Sequence, residues 1–336
     1  MKRQVLMLTV GGVCLLTIGW WLGKNSSSPV QTKPAPLSYR HQDNSENQDS
    51  AKINDQQLEQ LEHDLESARR QLAEQGSIIR EHSLGREVRS IDEMLALFPA
   101  KYPQGDWTPS ETDLEDCWFE TVDGLRLHGW YLPHENPKAV VLYSHGNAGN
   151  VTHRMAVATR INKQLRCSVF VFDYRGYGRS EGVPTIDGIL HDGRAARDYL
   201  ATRERIAAED IVLMGRSLGA AVVVQLASEL GARGLVLESA FSSLRSVASR
   251  HYPKLLVNLL VADRLDSVSA IAKYKGPLLQ SHGDADQTIP YSLGLELFNS
   301  ANRPKTFVRI PRGDHNDPQT NEYYGQLKSF IKSLPK

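Results

Sequence analysis

From residue 139 onward, short runs that are apolar at nearly every position recur between longer stretches of helical periodicity. Ala139–Ser144, Ser168–Tyr174, Ile211–Gly215, Gly234–Leu237, Pro277–Ser281 and Thr306–Ile310 read as strands. Asn150–Leu165, Asp187–Leu200, Leu218–Leu230, Ser292–Ala301 and Glu322–Leu334 read as helices. A strand without polar alternation must be covered on both faces, and the intervening helices supply that cover. The pattern therefore predicts a mostly parallel sheet between two helical layers. Upstream, Asp116–Val122 and Leu125–Leu132 flank Asp123-Gly124. This predicts a hairpin with Asp-Gly at its turn, placing antiparallel strands at the start of the sheet.

The chain is longer than this one domain needs. After Met1-Lys2-Arg3, the 19 residues Val5–Gly23 carry no charge and are almost entirely apolar, enough to span a bilayer as a helix. Trp20 and Trp21 lie near the far end, where amphipathic rings favour the membrane interface. A cleaved signal peptide is the competing reading, but only Ser26-Ser27-Ser28 offers a small-x-small site, a weak one, and Cys14 lacks the context of a lipoprotein signal. Residues 1–24 are expected to form an uncleaved signal anchor. The charges of Lys2 and Arg3 put the bulk of the chain on the non-cytoplasmic side, against a weaker opposing bias from Lys24 and Lys33. Residues 25–52, rich in Ser, Pro, Gln and Asn, read as a flexible linker. In residues 53–84, Leu58, Leu65, Leu72 and Ile79 stand seven apart. They predict a helical, coiled-coil-like segment, either packed on the domain or pairing two copies into a homodimer. Residues 85–336 form the expected catalytic domain.

Lys plus Arg equals Asp plus Glu, 39 against 39, so no charge bias points to nucleic acid. The three cysteines, Cys14, Cys117 and Cys167, form no Cys-x-x-Cys pair, and neither a metal nor a cofactor is expected. Cys117 and Cys167 read as a disulfide or as two buried thiols.

One short motif stands out by its setting. Gly215-Arg216-Ser217-Leu218-Gly219 follows an apolar strand and opens a helix of small residues. That strand–turn–helix context holds a serine hydroxyl above a sheet, near a helix N-terminus that favours developing negative charge. Serine is a weak nucleophile until a base takes its proton, and that base needs a carboxylate to orient it. Downstream histidines are His251, His282 and His315. Only His315, in Gly313-Asp314-His315-Asn316, sits just after the last strand, where such sites collect. His282 adjoins the acid loop and reads as shaping it; His251 lies in an insertion. Asp284 and Asp286 both qualify as the acid. Asp314 and Asp317 read as loop-structuring. The oxyanion donors are expected to be the amides of Leu218 and Asn147, the latter in His145-Gly146-Asn147.

The segments Ser144–Asn150, Asp173-Tyr174-Arg175-Gly176-Tyr177-Gly178-Arg179-Ser180, Gly215–Gly219 and Gly313–Asp317 together resemble the Bem46-like α/β hydrolases. These are membrane-associated relatives of serine aminopeptidase-like and depalmitoylase-like enzymes. The resemblance covers about residues 85–336. It implies an α/β-hydrolase fold, a Ser217, Asp286, His315 triad and an N-terminal anchor; its spacing after His-Gly favours Asp286 over Asp284. The segment from Asp173 to Ser180 reads as a turn beside the active-site mouth, with Arg175 a minor candidate for substrate contact. Between Gly234 and the acid loop, an insertion of about 35 residues holding Tyr252–Val261 reads as a small cap.

The expected function is hydrolysis of an ester, thioester or amide through an acyl-enzyme on Ser217. The substrate would be an acyl-containing small molecule, a lipid or a lipidated partner. The competing expectation is a membrane-tethered scaffold that keeps the fold without the chemistry.

Overall fold

The computed structural model describes Glu93, residues 97–109 and residues 113–335, apart from 252, 254, 256 and 258–263. The expected anchor (1–24), linker (25–52) and heptad segment (53–84) lie outside the described residues, as does the expected domain start at Gly85. Among the described residues, no helix is long and apolar enough to cross a membrane.

Among the described residues, eight strands form one sheet: β1 (Glu115–Glu120), β2 (Arg126–Leu132), β3 (Ala139–Ser144), β4 (Cys167–Phe172), β5 (Val212–Arg216), β6 (Gly234–Glu238), β7 (Leu278–Gly283) and β8 (Lys305–Ile310). Their order is β1-β2-β4-β3-β5-β6-β7-β8. The β1–β2 and β2–β4 pairs are antiparallel. All pairs from β4 through β8 are parallel.

Among the described residues, the helices that frame the sheet are α1 (Met155–Leu165), α2 (Ile186–Glu204), α3 (Leu218–Leu230), α4 (Leu244–His251), α5 (Ser267–Ile271), α6 (Tyr291–Ser300) and α7 (Asn321–Ser333). A 3₁₀ turn, Val151–Arg154, precedes α1, with Asn150 as its cap. The continuous helix expected from Asn150 therefore divides in two.

The strands bury both faces, as their sequences require. Val140 and Leu142 of β3 belong to the buried cluster that also holds residues of α2, α3, α5 and α6; Val141 and Tyr143 of the same strand belong to a second cluster, with residues of α1 and α7. Leu142 and Leu213 are fully buried, and truncating either to Ala costs about 2–5 kcal/mol.

The hairpin differs from expectation. Asp-Gly suits a two-residue turn, but the Thr121 amide donates to the Leu125 carbonyl at 3.0 Å, and the Leu125 amide returns to the Thr121 hydroxyl at 3.0 Å. Those bonds fix the last rung at Thr121–Leu125, leaving Val122, Asp123 and Gly124 in a three-residue loop. Gly124 takes φ +79°, the left-handed position such a loop needs.

Cys117 and Cys167 are buried free thiols. Burial pushes the Cys167 thiol up to about 12, where it is inert as a nucleophile.

Because β3 and β5 through β8 run parallel, their following loops emerge at one edge of the sheet. That edge gathers the loops carrying Asn147, Ser217, Asp286 and His315.

Candidate active site

The site is built on the turn between β5 and α3. Ser217 has φ +53° and ψ −116°, a strained backbone conformation for a non-glycine residue. The turn holds because its neighbours have no side chains. A Cβ on Gly215 would lie 2.3 Å from the Gly219 carbonyl oxygen, and one on Gly219 would lie 1.9 Å from the Ser144 carbonyl oxygen. The Ser217 amide is tied to the Glu238 carbonyl at 2.9 Å, so β6 supports the turn from the side. Leu218 opens α3, and its N–H is one of the amides that a helix start leaves without an intrahelical acceptor.

His315 stands in the loop between β8 and α7. Its Nε2 lies 3.2 Å from Ser217 Oγ, and its Nδ1 lies 2.8 Å from Asp286 Oδ2. A carboxylate only accepts, so Nδ1 carries the proton and Nε2 is left to accept the serine hydroxyl. Both His315 and Asp286 are buried.

The Asp286 carboxylate is saturated with donors. Oδ1 accepts the amides of Thr288 (2.9 Å) and Ile289 (2.7 Å). Oδ2 faces His315 and, at 3.4 Å, Nε2 of His282. Burial alone would raise its pKa. The hydrogen bonds from His282, His315 and Ile289 overcome that and hold the carboxyl well below the usual carboxylate range.

His282 was expected only to shape the acid loop. Its Nε2 does donate to the Ile289 carbonyl at 3.0 Å, but it also touches the acid. The readable signal is the spacing: His282 and Asp286 are four residues apart at a strand end.

Asp284 turns away from His315. It accepts the Arg312 amide (2.6 Å) and Arg309 Nε (2.7 Å), which occupies it within its own turn. Asp314 accepts the amides of Gln287 (2.8 Å) and His315 (2.7 Å), joining the acid loop to the histidine loop. Asp317 accepts the Asp314 amide at 2.8 Å. The His251 side chain lies outside the described residues.

The loop after β3 reaches the same place. A Cβ built on Gly146 would lie 3.6 Å from the Ser217 Cβ. This loop is braced from below, where His145 Nδ1 donates to the Gly146 carbonyl at 2.7 Å and the Tyr174 hydroxyl donates to the His145 carbonyl at 2.8 Å.

Arg175 is not at the mouth. It is buried, and its Nε and backbone N–H donate to Asp192 at 2.9 and 2.8 Å while Nη1 reaches Asp123 at 2.8 Å. It ties the β1–β2 hairpin to α2 and is spent on that task, which corrects the expectation of substrate contact. Among the described residues, no group of three or more His, Cys, Asp or Glu side chains could hold a metal ion.

A strained serine at a strand–helix turn, on an eight-stranded mostly parallel sheet, defines a serine hydrolase-type enzyme. Comparison with known proteins agrees. A family described as serine aminopeptidase, S33 matches residues 135–267. The uncharacterized protein Rv2307c of Mycobacterium tuberculosis is 38% identical over 224 residues, covering 65% of this chain and 79% of that protein. The α/β hydrolase domain-containing protein WAV2 of Arabidopsis thaliana is 35% identical over 232 residues, covering 62% and 75%. The chain belongs to the α/β-hydrolase family, and the Bem46-like resemblance of its four motifs sits within it. Among solved structures, the Pyrococcus furiosus esterase Pf2001 aligns with a TM-score of 0.59 at 21% identity, covering 71% of this chain and 99% of that one. Est1E from Butyrivibrio proteoclasticus, solved with ferulic acid bound, aligns with a TM-score of 0.52 at 20% identity, covering 64% and 96%. At those identities the likeness is one of fold.

Proposed function

We propose that this chain hydrolyses a carboxylic ester, thioester or amide through an acyl-enzyme on Ser217. His315 takes the serine proton and returns it to the leaving group. Asp286 holds His315 in the tautomer that can accept and offsets the charge of the imidazolium as it forms. The amides of Leu218 and Asn147 receive the oxyanion, each contributing about 10²–10³ in turnover. The observation that carries this reading is the unbroken line of contacts Ser217 Oγ–His315 Nε2–Asp286 Oδ2, at 3.2 and 2.8 Å, around a serine held in a strained turn.

Small-molecule esters are the substrate class proposed first, on the strength of the esterases that share the fold. The apolar run Val5–Gly23 supports a reading in which the enzyme is tethered to a membrane, with the catalytic domain on the non-cytoplasmic side.

The test is active-site labelling of the purified chain with a fluorophosphonate, alongside release of p-nitrophenol from short-chain esters. Wild type should label and turn over, and Ser217→Ala should do neither. Equal labelling of Ser217→Ala would overturn the assignment of the nucleophile.

A further inference from the structure

The oxyanion donors must be fixed before the reaction begins, because an amide that has to be brought into place during the reaction loses much of its catalytic value. Leu218 meets that demand through its helix. Asn147 lies in a loop with glycines at 146 and 149 on either side, which by itself holds nothing in place. The loop is instead held by a segment from before the sheet begins, together with the glycine-rich turn after β4.

Residues Leu97–Gln104 run between these two loops. Pro99 bridges to Gly149 and Lys101 to Gly178. The Tyr102 amide donates to the Gly178 carbonyl at 2.8 Å, and the Gly178 amide returns to Ala100 at 3.0 Å. Asn150 Nδ2 donates to the carbonyls of Ala100 (3.1 Å) and Gln104 (2.7 Å). The upstream end is pinned as well: Leu97 is buried in the core, and Glu93 accepts the first amide of α2, that of Ile186, at 2.9 Å.

The contacts converge on one atom. Asn147 Oδ1 accepts the Phe98 backbone N–H at 2.9 Å and the Tyr177 hydroxyl at 2.9 Å. The Phe98 N–H can only donate, which settles which end of the carboxamide faces it. Two donors fill the two lone pairs of that oxygen. The side chain is therefore locked from both sides, and the residue whose amide serves the oxyanion is held by its own carboxamide.

We propose that Phe98, through its backbone N–H, and Tyr177, through its hydroxyl, are positioning residues that clamp Asn147 and set its amide for the tetrahedral intermediate. The inference rests on the reading of Ser217 as nucleophile and of the Asn147 amide as oxyanion donor. Neither Phe98 nor Tyr177 touches the reacting atoms; both act through Asn147. Loss of one clamp bond leaves the loop in place and loosens the amide, so the effect falls on the chemical step more than on substrate binding.

The test is a double-mutant cycle in the full-length chain, using Tyr177→Phe, Asn147→Ala and their combination, with p-nitrophenyl acetate turnover, the rate of fluorophosphonate inactivation and Tm as readouts. Tyr177→Phe should lower kcat and the inactivation rate about 10-fold, with KM within about 2-fold of wild type. Asn147→Ala should lower kcat about 10–100-fold, and in that background removing the Tyr177 hydroxyl should cost nothing further. Wild-type kcat in Tyr177→Phe, or effects that multiply in the double variant, would overturn the clamp. If Asn147→Ala does not fold, the kcat-against-KM split of Tyr177→Phe decides alone. A wild-type chain inert to the phosphonate would instead remove the nucleophile assignment beneath the proposal, a result distinct from a reactive wild type whose Tyr177→Phe variant is unimpaired.

Discussion

His315 Nδ1 and Asp286 Oδ2 lie 2.8 Å apart, and the second oxygen of the same carboxylate is held by the amides of Thr288 and Ile289. The acid therefore cannot swing away from the histidine without breaking two backbone bonds. It is a fixed support rather than a flexible partner. Asp286→Asn keeps the shape but offers an N–H₂ where His315 needs an acceptor, so it favours the wrong tautomer. We expect kcat on p-nitrophenyl esters to fall by roughly 10⁴ at a temperature where the variant remains folded. A loss below 10-fold would show that the carboxylate is not needed.

Asp286 also links stability to pH. Its folded pKa lies below the unfolded value of about 3.9, so the folded state holds fewer protons in acid than the unfolded state does. The stability it contributes is fully present above about pH 4 and is lost as pH falls through the folded value. Urea midpoints should therefore drop on going from pH 5 to pH 3, and the drop should be shallower in Asp286→Asn. Parallel curves for the two proteins would contradict this.

Two glycines should respond to alanine in opposite directions. Gly219 faces the Ser144 carbonyl at a distance no Cβ tolerates, and that neighbour is backbone, which cannot rotate away. Gly219→Ala should cost about 3 kcal/mol. Gly325, in α7, has nothing within 4 Å of an added Cβ. Gly325→Ala should gain about 0.5–1 kcal/mol by restricting the unfolded chain and favouring helix. Thermal melts of the two variants are the check.

Arg175 distinguishes a structural role from a substrate role. Its side chain is committed to the Asp192 and Asp123 carboxylates, and Asp192 is wholly buried. Arg175→Met strands a carboxylate and should cost about 3–5 kcal/mol of stability. At a temperature where the variant remains folded, KM for p-nitrophenyl esters should match wild type. A raised KM in the folded variant would return Arg175 to the substrate pocket.

What the sequence disclosed, and what it withheld, follows from where each signal resides. Ser217 is legible because its strand, turn and helix are contiguous, and the two glycines are sterically compelled. His315 and Asp286 are legible because each follows a strand, and parallel strands bring their ends together. The contact of His282 with Asp286 is less visible, since a histidine at a strand end serves a turn equally well. The clamp on Asn147 is not visible at all. One of its donors is a backbone N–H, which every residue but proline possesses, and it lies 49 residues away. The hairpin misled for a related reason: Asp-Gly is a strong turn signal, but the Thr121 hydroxyl, a side-chain acceptor outside the pair, decided where the ladder ends.

The segment from Leu97 to Gln104 bears on how this chain can be divided. The matched family region spans residues 135–267 and the first strand begins at Glu115, so either landmark invites a fragment that starts after the segment has passed. A fragment cut just before Glu115 would retain every strand and the serine, acid and histidine, whereas one cut at residue 135 would also lose β1 and β2. Either would lack the backbone that closes over the glycine loops. A recombinant boundary, a fusion junction or a protease site belongs upstream of Glu93, because the sheet begins at Glu115 while the contacts that hold its loops reach back to Glu93.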